Sequence, residues 1–338
     1  MNRELAMKVA NAVLYEGYML YPYRPSAIKN RQRWSFGILY PPKYDEVQGG
    51  TERARMHSEC LMRLKGETVI HVQLRFLHLL SKGVLRAVDG RFEPAASVIV
   101  DGELVEPWDE GVERSVEFDV SPCDELEQFF QFSFDGLKDS EQLRDINGQV
   151  AAELTCSQDE IQGTILISCQ LLRSDIMKLS IDVENATPLP SHVTDRDTVL
   201  LSSFLSAHTI LAVEDGEFVS LLDPPEELRE DVKACNNVGN FPVLVGAEGE
   251  RDMLLCSPIV LYDYPQVAPE SAGDFYDATE MDEMLTLRVL TLTDEEKNQM
   301  RSGDERVRRL LQRTEESARE QLTKTHGTIR SMRPVSEQ

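Results

Sequence analysis

The sequence predicts a mainly β chain of the α+β kind, an antiparallel β-sandwich or open barrel with a short N-terminal helix and a charged C-terminal helix. Three observations carry the prediction. Apolar residues recur at every second position through most of the chain, turn residues punctuate those runs, and helical spacing is confined to the two ends.

At the start, Leu5, Val9 and Val13 stand at steps of four, which predicts one short amphipathic helix over 3–14. Period two then takes over. Met56, Cys60, Met62 and Leu64 share one parity against His57, Glu59 and Arg63, and Ile70, Val72, Leu74 and Phe76 repeat the pattern against His71, Gln73 and Arg75. Two strands, each with one wet face, are expected, joined by a three-residue hairpin loop at Lys65, Gly66 and Glu67. That register sets Leu64 opposite Thr68, Met62 opposite Ile70 and Cys60 opposite Val72, with His71 opposite Leu61 and Glu59 diagonal to it.

The alternation returns at Val116, Phe118 and Val120, at Phe130, Phe132 and Phe134, from Ile165 to Leu171 and from Met177 to Val183. Asp215-Gly216 between two apolar runs predicts a tight hairpin turn, since both residues tolerate positive φ. Residues 254–261 and 285–291 read as late strands. Thr293 followed by Glu296 fits a capping box, so a helix over 293–325 is expected to begin there. Val307, Leu310 and Leu311 form a thin stripe in its charged sequence, continued weakly by Ala318 and Leu322, as on a surface helix or one reaching to a partner. The organisation expected is a β region over 1–292, with 185–195 as its one candidate subdivision, then the helix, then a frayed tail over 326–338.

At 338 residues and 41% hydrophobic content, the chain can bury a large core. Its formal net charge of -24 repels phosphate backbones, so nucleic-acid binding is not expected. No apolar run has the length of a membrane span and the start lacks the pattern of a secretory signal; membrane insertion is not expected, and a cytoplasmic location is. The six cysteines are scattered without a Cys-x-x-Cys pair and read as reduced thiols. No cofactor is indicated.

Nucleophile elbows, phosphate loops and zinc-protease signatures are missing from the sequence. Ser26 and Lys29 match a Ser-x-x-Lys spacing without its companion motifs. His71 beside Glu59 reads either as a ligand or acid–base pair or as part of a polar sheet face, with the polar face leading.

The most distinctive stretch is 20–34, "LYPYRPSAIKNRQRW", which sets Arg24, Lys29, Arg31 and Arg33 among Tyr21, Tyr23 and Trp34 in a strongly acidic chain. All nine tyrosines fall in two windows, and the second, with Tyr262, Tyr264 and Tyr276, echoes the first as "LYDYP" against "LYPYRP". From Asp263 to Glu283 there are seven acids and no Lys or Arg. The leading expectation is that the windows meet, with arginines paired to Asp274, Asp277 or Glu280, because a guanidinium both forks onto a carboxylate and stacks on rings. The same residues also suit a partner-binding patch or a small-anion or metal site.

The segments 13–41, "VLYEGYMLYPYRPSAIKNRQRWSFGILYP", 218–227, "FVSLLDPPEE", and 257–297, beginning "SPIVLYDYPQVAPESAGDFYDATEMDEM", resemble a bacterial protein family encoded in gene clusters for nickel–iron uptake hydrogenases. The resemblance implies a cytoplasmic accessory role in assembling or maturing that enzyme and carries over no catalytic residues. The reading is therefore a non-catalytic accessory or assembly protein binding a protein partner, a hydrogenase subunit or maturation factor. The alternative is a metal-dependent enzyme or metal carrier using the acids of 274–283 with His71 or His208.

Overall fold

One strand of 34 residues, Arg55–Val88, is the spine of the molecule. The computed structural model describes residues 3–20, 23, 30, 33–266, 285, 288–303 and 305–325. In chain order the strands are β1 (Arg55–Val88), β2 (Arg91–Pro94), β3 (Val98–Val100), β4 (Glu103–Val105), β5 (Trp108–Val120), β6 (Leu126–Phe134), β7 (Leu137–Arg144), β8 (Val150–Gln158), β9 (Ile161–Leu171), β10 (Ile176–Asn185), β11 (Leu205–Phe218), β12 (Phe241–Leu244) and β13 (Met253–Ser257). The helices are α1 (Arg3–Leu14), α2 (Pro42–Val47), α3 (Arg196–Leu200), α4 (Arg229–Lys233), α5 (Asp294–Ser302) and α6 (Glu305–Thr325).

Antiparallel pairing follows from β1 outward. One edge of β1 takes β10, then β5, then β2, and the opposite edge takes β11, then β8. The main path runs β12-β13-β11-β1-β10-β9-β6, and its ends are not paired to each other, so the sheet curls without closing. The fold is thus mainly antiparallel β, with β3 and β4 forming a separate small hairpin.

Period two decides what the curled sheet encloses. Met56, Cys60, Met62, Ile70, Val72, Leu74 and Phe76 of β1 point inward with Ile165 and Ile167 of β9, Leu179 and Ile181 of β10, and Leu211 and Val213 of β11. Phe118 of β5 meets Phe130 of β6 at 4.2 Å between ring centroids, and Phe76 stacks on Phe204 at 4.4 Å. Offset rings at such distances add stabilisation beyond their burial.

The expected hairpin within 56–76 is absent: β1 runs straight through Lys65, Gly66 and Glu67. The expected turn at Asp215-Gly216 is absent as well, because β11 also continues. The two turn signals face one another. The β1–β11 register slips between Leu64 and Val69, Thr68 donates from Oγ1 to the carbonyl of Asp215 at 2.7 Å, and Lys65 pairs with Glu217. Asp215, at φ 51°, thus supplies a bulge in a continuing ladder.

Helix α1 covers the outer face of β11, β13 and β12, setting Ala6, Val9, Ala10 and Val13 on Ile210, Val243, Met253 and Leu255. Leu5 of the expected stripe is exposed; the buried stripe runs through alanines, which let the helix approach the sheet. The 185–195 stretch is fastened at its start, where buried Asn185 donates to the carbonyls of Leu39 and Ser202 at 2.8 and 2.9 Å.

A second core lies against Leu77 and Leu79 of β1. It gathers Leu14, Tyr15, Tyr18, Tyr23, Trp34, Tyr40, Tyr44, Trp108, Leu200, Leu285, Val289, Met300, Val307, Leu310 and Leu311. The charged end differs from its sequence reading in three ways. It contains two helices, α5 and α6, interrupted at Gly303; its stripe of Val307, Leu310 and Leu311 is buried within the chain; and 288–290, expected as strand, is helical. The capping box is present: the Glu296 amide donates to Thr293 Oγ1 at 3.2 Å, and the Thr293 amide donates to Glu296 Oε2 at 3.0 Å. The expected late strand 254–261 is confined to β13. The tail over 326–338 lies outside the described residues.

Candidate functional site

The described aromatics of the N-terminal window are interior. Tyr23 and Trp34 are buried in the second core, both at positive φ. The Arg33 guanidinium lies 3.6 Å from the centroid of Trp108 and 5.1 Å from that of Trp34, and its Nη2 donates to the carbonyl of Asp109 at 3.2 Å. Arg306 of α6 lies over Tyr15 and Tyr18 and donates to the Tyr15 hydroxyl, which donates in turn to Glu113 Oε1 at 2.7 Å. Burial, reinforced by Glu113, pushes the Tyr15 phenol well up. Tyr21, Arg24, Lys29, Arg31, Asp274, Asp277 and Glu280 lie outside the described residues, as do Ser26 and the rest of 274–283.

Of the second tyrosine window, Tyr262 and Tyr264 are described, and they differ; whether the windows meet through Asp274, Asp277 or Glu280 lies outside the described residues. Tyr264 packs partly buried against the first core, whereas Tyr262, two residues away, is 86% exposed. Strand parity does not account for this opposition, because both residues have the same parity. Asp263 between them is clamped: its Oδ2 accepts from Ser220 Oγ at 2.5 Å and its Oδ1 from the amide of Leu244 at 2.8 Å. Tyr264, at φ 54°, donates its amide to the Leu244 carbonyl at 2.7 Å. Ser220 also accepts from the amides of Leu222 and Asp223, so one hydroxyl ties two loops together. Those loops carry Leu222 at 55% and Val260 at 71% exposure, as well as Tyr262.

Beyond Pro258 opens a groove of about 420 Å³ lined by Phe36, Gly37, Tyr40, Glu52, Arg53, Arg196, Gly239 and Pro258, among others. Arg196 is fixed by Nη2, which donates to the carbonyl of Trp34 at 2.8 Å and of Arg33 at 3.4 Å. Burial raises the Tyr40 phenol, opposed by Arg196. The sequence reading missed Arg53 and Arg196, since neither sits in a motif and they lie 143 positions apart.

His71, on the sheet surface, differs in setting from the buried His78 and His208. His71 is not opposite Leu61 with Glu59 beside it; because β1 is continuous, it pairs across to Asp119 and Ala212. Its Nδ1 lies 2.6 Å from Asp119 Oδ1 and its Nε2 3.4 Å from Glu214 Oε1, and the hydrogen bond with Asp119 raises its pKa. His208 is fully buried, with Nδ1 2.8 Å from the Ser206 carbonyl, and burial lowers its pKa to about 4. His78, also buried, is lowered to about 4 by burial and by Arg114.

A fourth cluster was visible in sequence only as the wet parity of one strand. Glu59 accepts from Lys178 Nζ at 3.0 Å and from the Asn236 amide at 2.7 Å, and His57 Nδ1 lies 3.0 Å from Asp182. Burial alone would raise the Glu59 pKa, but these hydrogen bonds prevail and hold it below the usual carboxylate range. Among the described residues, no group of three or more His, Cys, Asp or Glu is arranged to hold a metal ion. All six cysteines are free, and no helix among the described residues is long and apolar enough to cross a membrane.

No family model matches the chain, and no curated protein does. Among solved structures, a distant similarity is to the Salmonella SPI-1 type III secretion injectisome secretin InvG (residues 176-end) in the open gate state. It has 11% identity, covers 50% of this chain and 47% of that chain, and has a TM-score of 0.17, too low to support an argument about fold or function.

Proposed function

We propose that the chain is a non-catalytic accessory protein that binds a protein partner through the loops carrying Leu222, Val260 and Tyr262. One observation carries this reading: apolar side chains stand in solvent on loops held in place by Asp263, Ser220 and Tyr264. An isolated exposed apolar residue needs no explanation. A tyrosine at 86% exposure between anchored neighbours is different, because its backbone is already ordered and binding forfeits little further loop entropy. Such pre-placed aromatics are the usual anchors of protein interfaces.

The resemblance of 257–297 and its companion segments extends the proposal to the partner's identity, a subunit or maturation factor of a nickel–iron hydrogenase in the cytoplasm. Affinity capture with the tagged chain, from its own organism grown with hydrogenase expressed, tests this by mass spectrometry. The proposal expects hydrogenase subunits or maturation factors among the recovered proteins; recovery of neither would refute the hydrogenase assignment.

A further inference from the structure

The unclosed side of the curled sheet has a definite place, between β5 and β6. The Phe118 and Phe130 rings meet at 4.2 Å, and the Arg114 guanidinium lies 4.9 Å from the centroid of Phe134. Four residues back along β5 and four forward along β6 lead from the first contact to the second, so the two strands face each other in antiparallel register. No ladder joins them: among the described residues β5 pairs with β1 alone and β6 with β9 alone. Over nearly all their length their Cα atoms are more than 8 Å apart. Paired strands stand about 4.8 Å apart, so side chains span this seam and backbone does not.

The seam leaves two marks on its walls. On β9, which is paired along both edges, the inward residues Ile161, Ile165 and Ile167 are fully buried. On β5 and β6 the inward residues Val112, Val116, Phe118, Phe130, Phe132 and Phe134 are half-buried. Both strands also turn amides and carbonyls with no ladder partner toward the seam. Sheets commonly guard such edges with charge, proline or shortness. Thus β7 carries Lys138, Asp139, Glu141 and Arg144, and β12 is four residues long and contains Pro242. The nine residues of β6 include a single charge, Glu127, so this edge is unguarded.

These marks select an occupant. Backbone groups on both walls with apolar side chains beneath suit one extended polypeptide whose alternate residues are apolar. A second copy of this chain is excluded, because its β6 edge would carry its own β9 into β5. The remaining residues of the occupant face solvent, where β5 presents Glu113, Glu117 and Asp119 and β6 presents Glu127, with no Lys or Arg at that parity. Arg75 pairs with Glu113 and His71 with Asp119. Glu117 and Glu127 are in no ion pair among the described residues, although Arg3 of α1 lines a hollow with Glu117. Two unpaired carboxylates on a chain of net charge -24 favour basic residues on this side. We propose that the seam between β5 and β6 takes up a single extended segment of a partner protein, with apolar side chains turned inward onto Phe118, Phe130 and Phe132 and Lys or Arg turned outward beside Glu117 and Glu127. This surface is separate from the loops of Tyr262.

Panning a phage library of random twelve-residue peptides against the full chain tests the proposal. Enriched peptides should alternate apolar residues with Lys or Arg. One of them, synthesised with a fluorescent label, should bind the Glu127→Lys chain about tenfold more weakly than the wild type, and the two chains should melt together. Methylating a central backbone nitrogen of the peptide leaves every side chain in place and should also weaken binding about tenfold. Hydrogen exchange read by mass spectrometry should slow in β5 and β6 when the peptide binds. No enrichment, a consensus without alternation, equal affinity for Glu127→Lys or for the methylated peptide, or protection confined to residues outside β5 and β6 would each overturn the proposal. Equal affinity for Glu127→Lys together with loss in Tyr262→Ala would remove the seam and leave the reading of the Tyr262 loops standing.

Discussion

The two cores of this molecule are built by different rules. The first lies inside the curled sheet and is almost wholly a product of alternation: one parity of β1, β9, β10 and β11 supplies its aliphatic side chains. The second is assembled on the outer face from α1 and the segment after it, the start of β5, α3, and α5 and α6. It is aromatic and threaded with polar groups, including Arg33 between Trp34 and Trp108 and the Tyr15 hydroxyl between Arg306 and Glu113. A strand ladder can specify a core by parity alone, whereas a core gathered from distant segments needs directional contacts to fix which segment goes where.

The two cores can be observed separately, because both tryptophans of the chain, Trp34 and Trp108, belong to the second. Tryptophan fluorescence reports on the second core and far-ultraviolet circular dichroism mainly on the sheet. The largest effect is expected for Phe76→Ala, which removes a ring stacked on Phe204 and should cost about 4 kcal/mol, lowering both transitions together. Leu310→Ala should cost about 3 kcal/mol and lower the fluorescence transition ahead of the dichroism transition. Coincident transitions in Leu310→Ala would show that the two cores melt as one unit.

Acid comes next, since each buried histidine adjoins an arginine. His78 lies near Arg114 and His208 near Arg75, and burial lowers both to about 4. An unfolded histidine titrates near 6.5, so the unfolded chain binds more protons between these values. The stabilisation is complete above about pH 6.5 and falls as the pH drops toward 4, with a loss of about 2 kcal/mol per histidine by pH 5. Denaturant titrations at pH 7 and pH 5 measure it, and equal stability at the two would contradict the burial of these rings. The smallest effect belongs to the cap: Thr293→Ala removes the acceptor of the Glu296 amide and should cost about 1 kcal/mol, seen in fluorescence first.

How legible each part was in the sequence follows from the same contrast. The period-two runs placed the strands of the first core, and the capping box placed the start of α5, because those signals are local. The link between 64 and 70 was misread for a physical reason. Lys65-Gly66-Glu67 and Asp215-Gly216 each look like a chain reversal taken alone, and only their juxtaposition across the β1–β11 ladder turns them into a matched bulge. The second core was legible only as an excess of tyrosine and arginine near the start of the chain; that Leu310 and Leu311 would cover those rings depends on a contact across almost the whole sequence. In the candidate site, Tyr262 and Tyr264 were indistinguishable within "LYDYP", and the clamp on Asp263 gives them opposite environments.

The most direct test compares affinity capture by the wild-type chain with capture by Tyr262→Ala, after showing that the two melt at the same temperature. Truncating an interface anchor costs about 2 kcal/mol, so hydrogenase subunits or maturation factors recovered by the wild type should fall about thirtyfold in affinity for the variant. Equal recovery by both chains, or recovery of no such protein by either, would contradict the account.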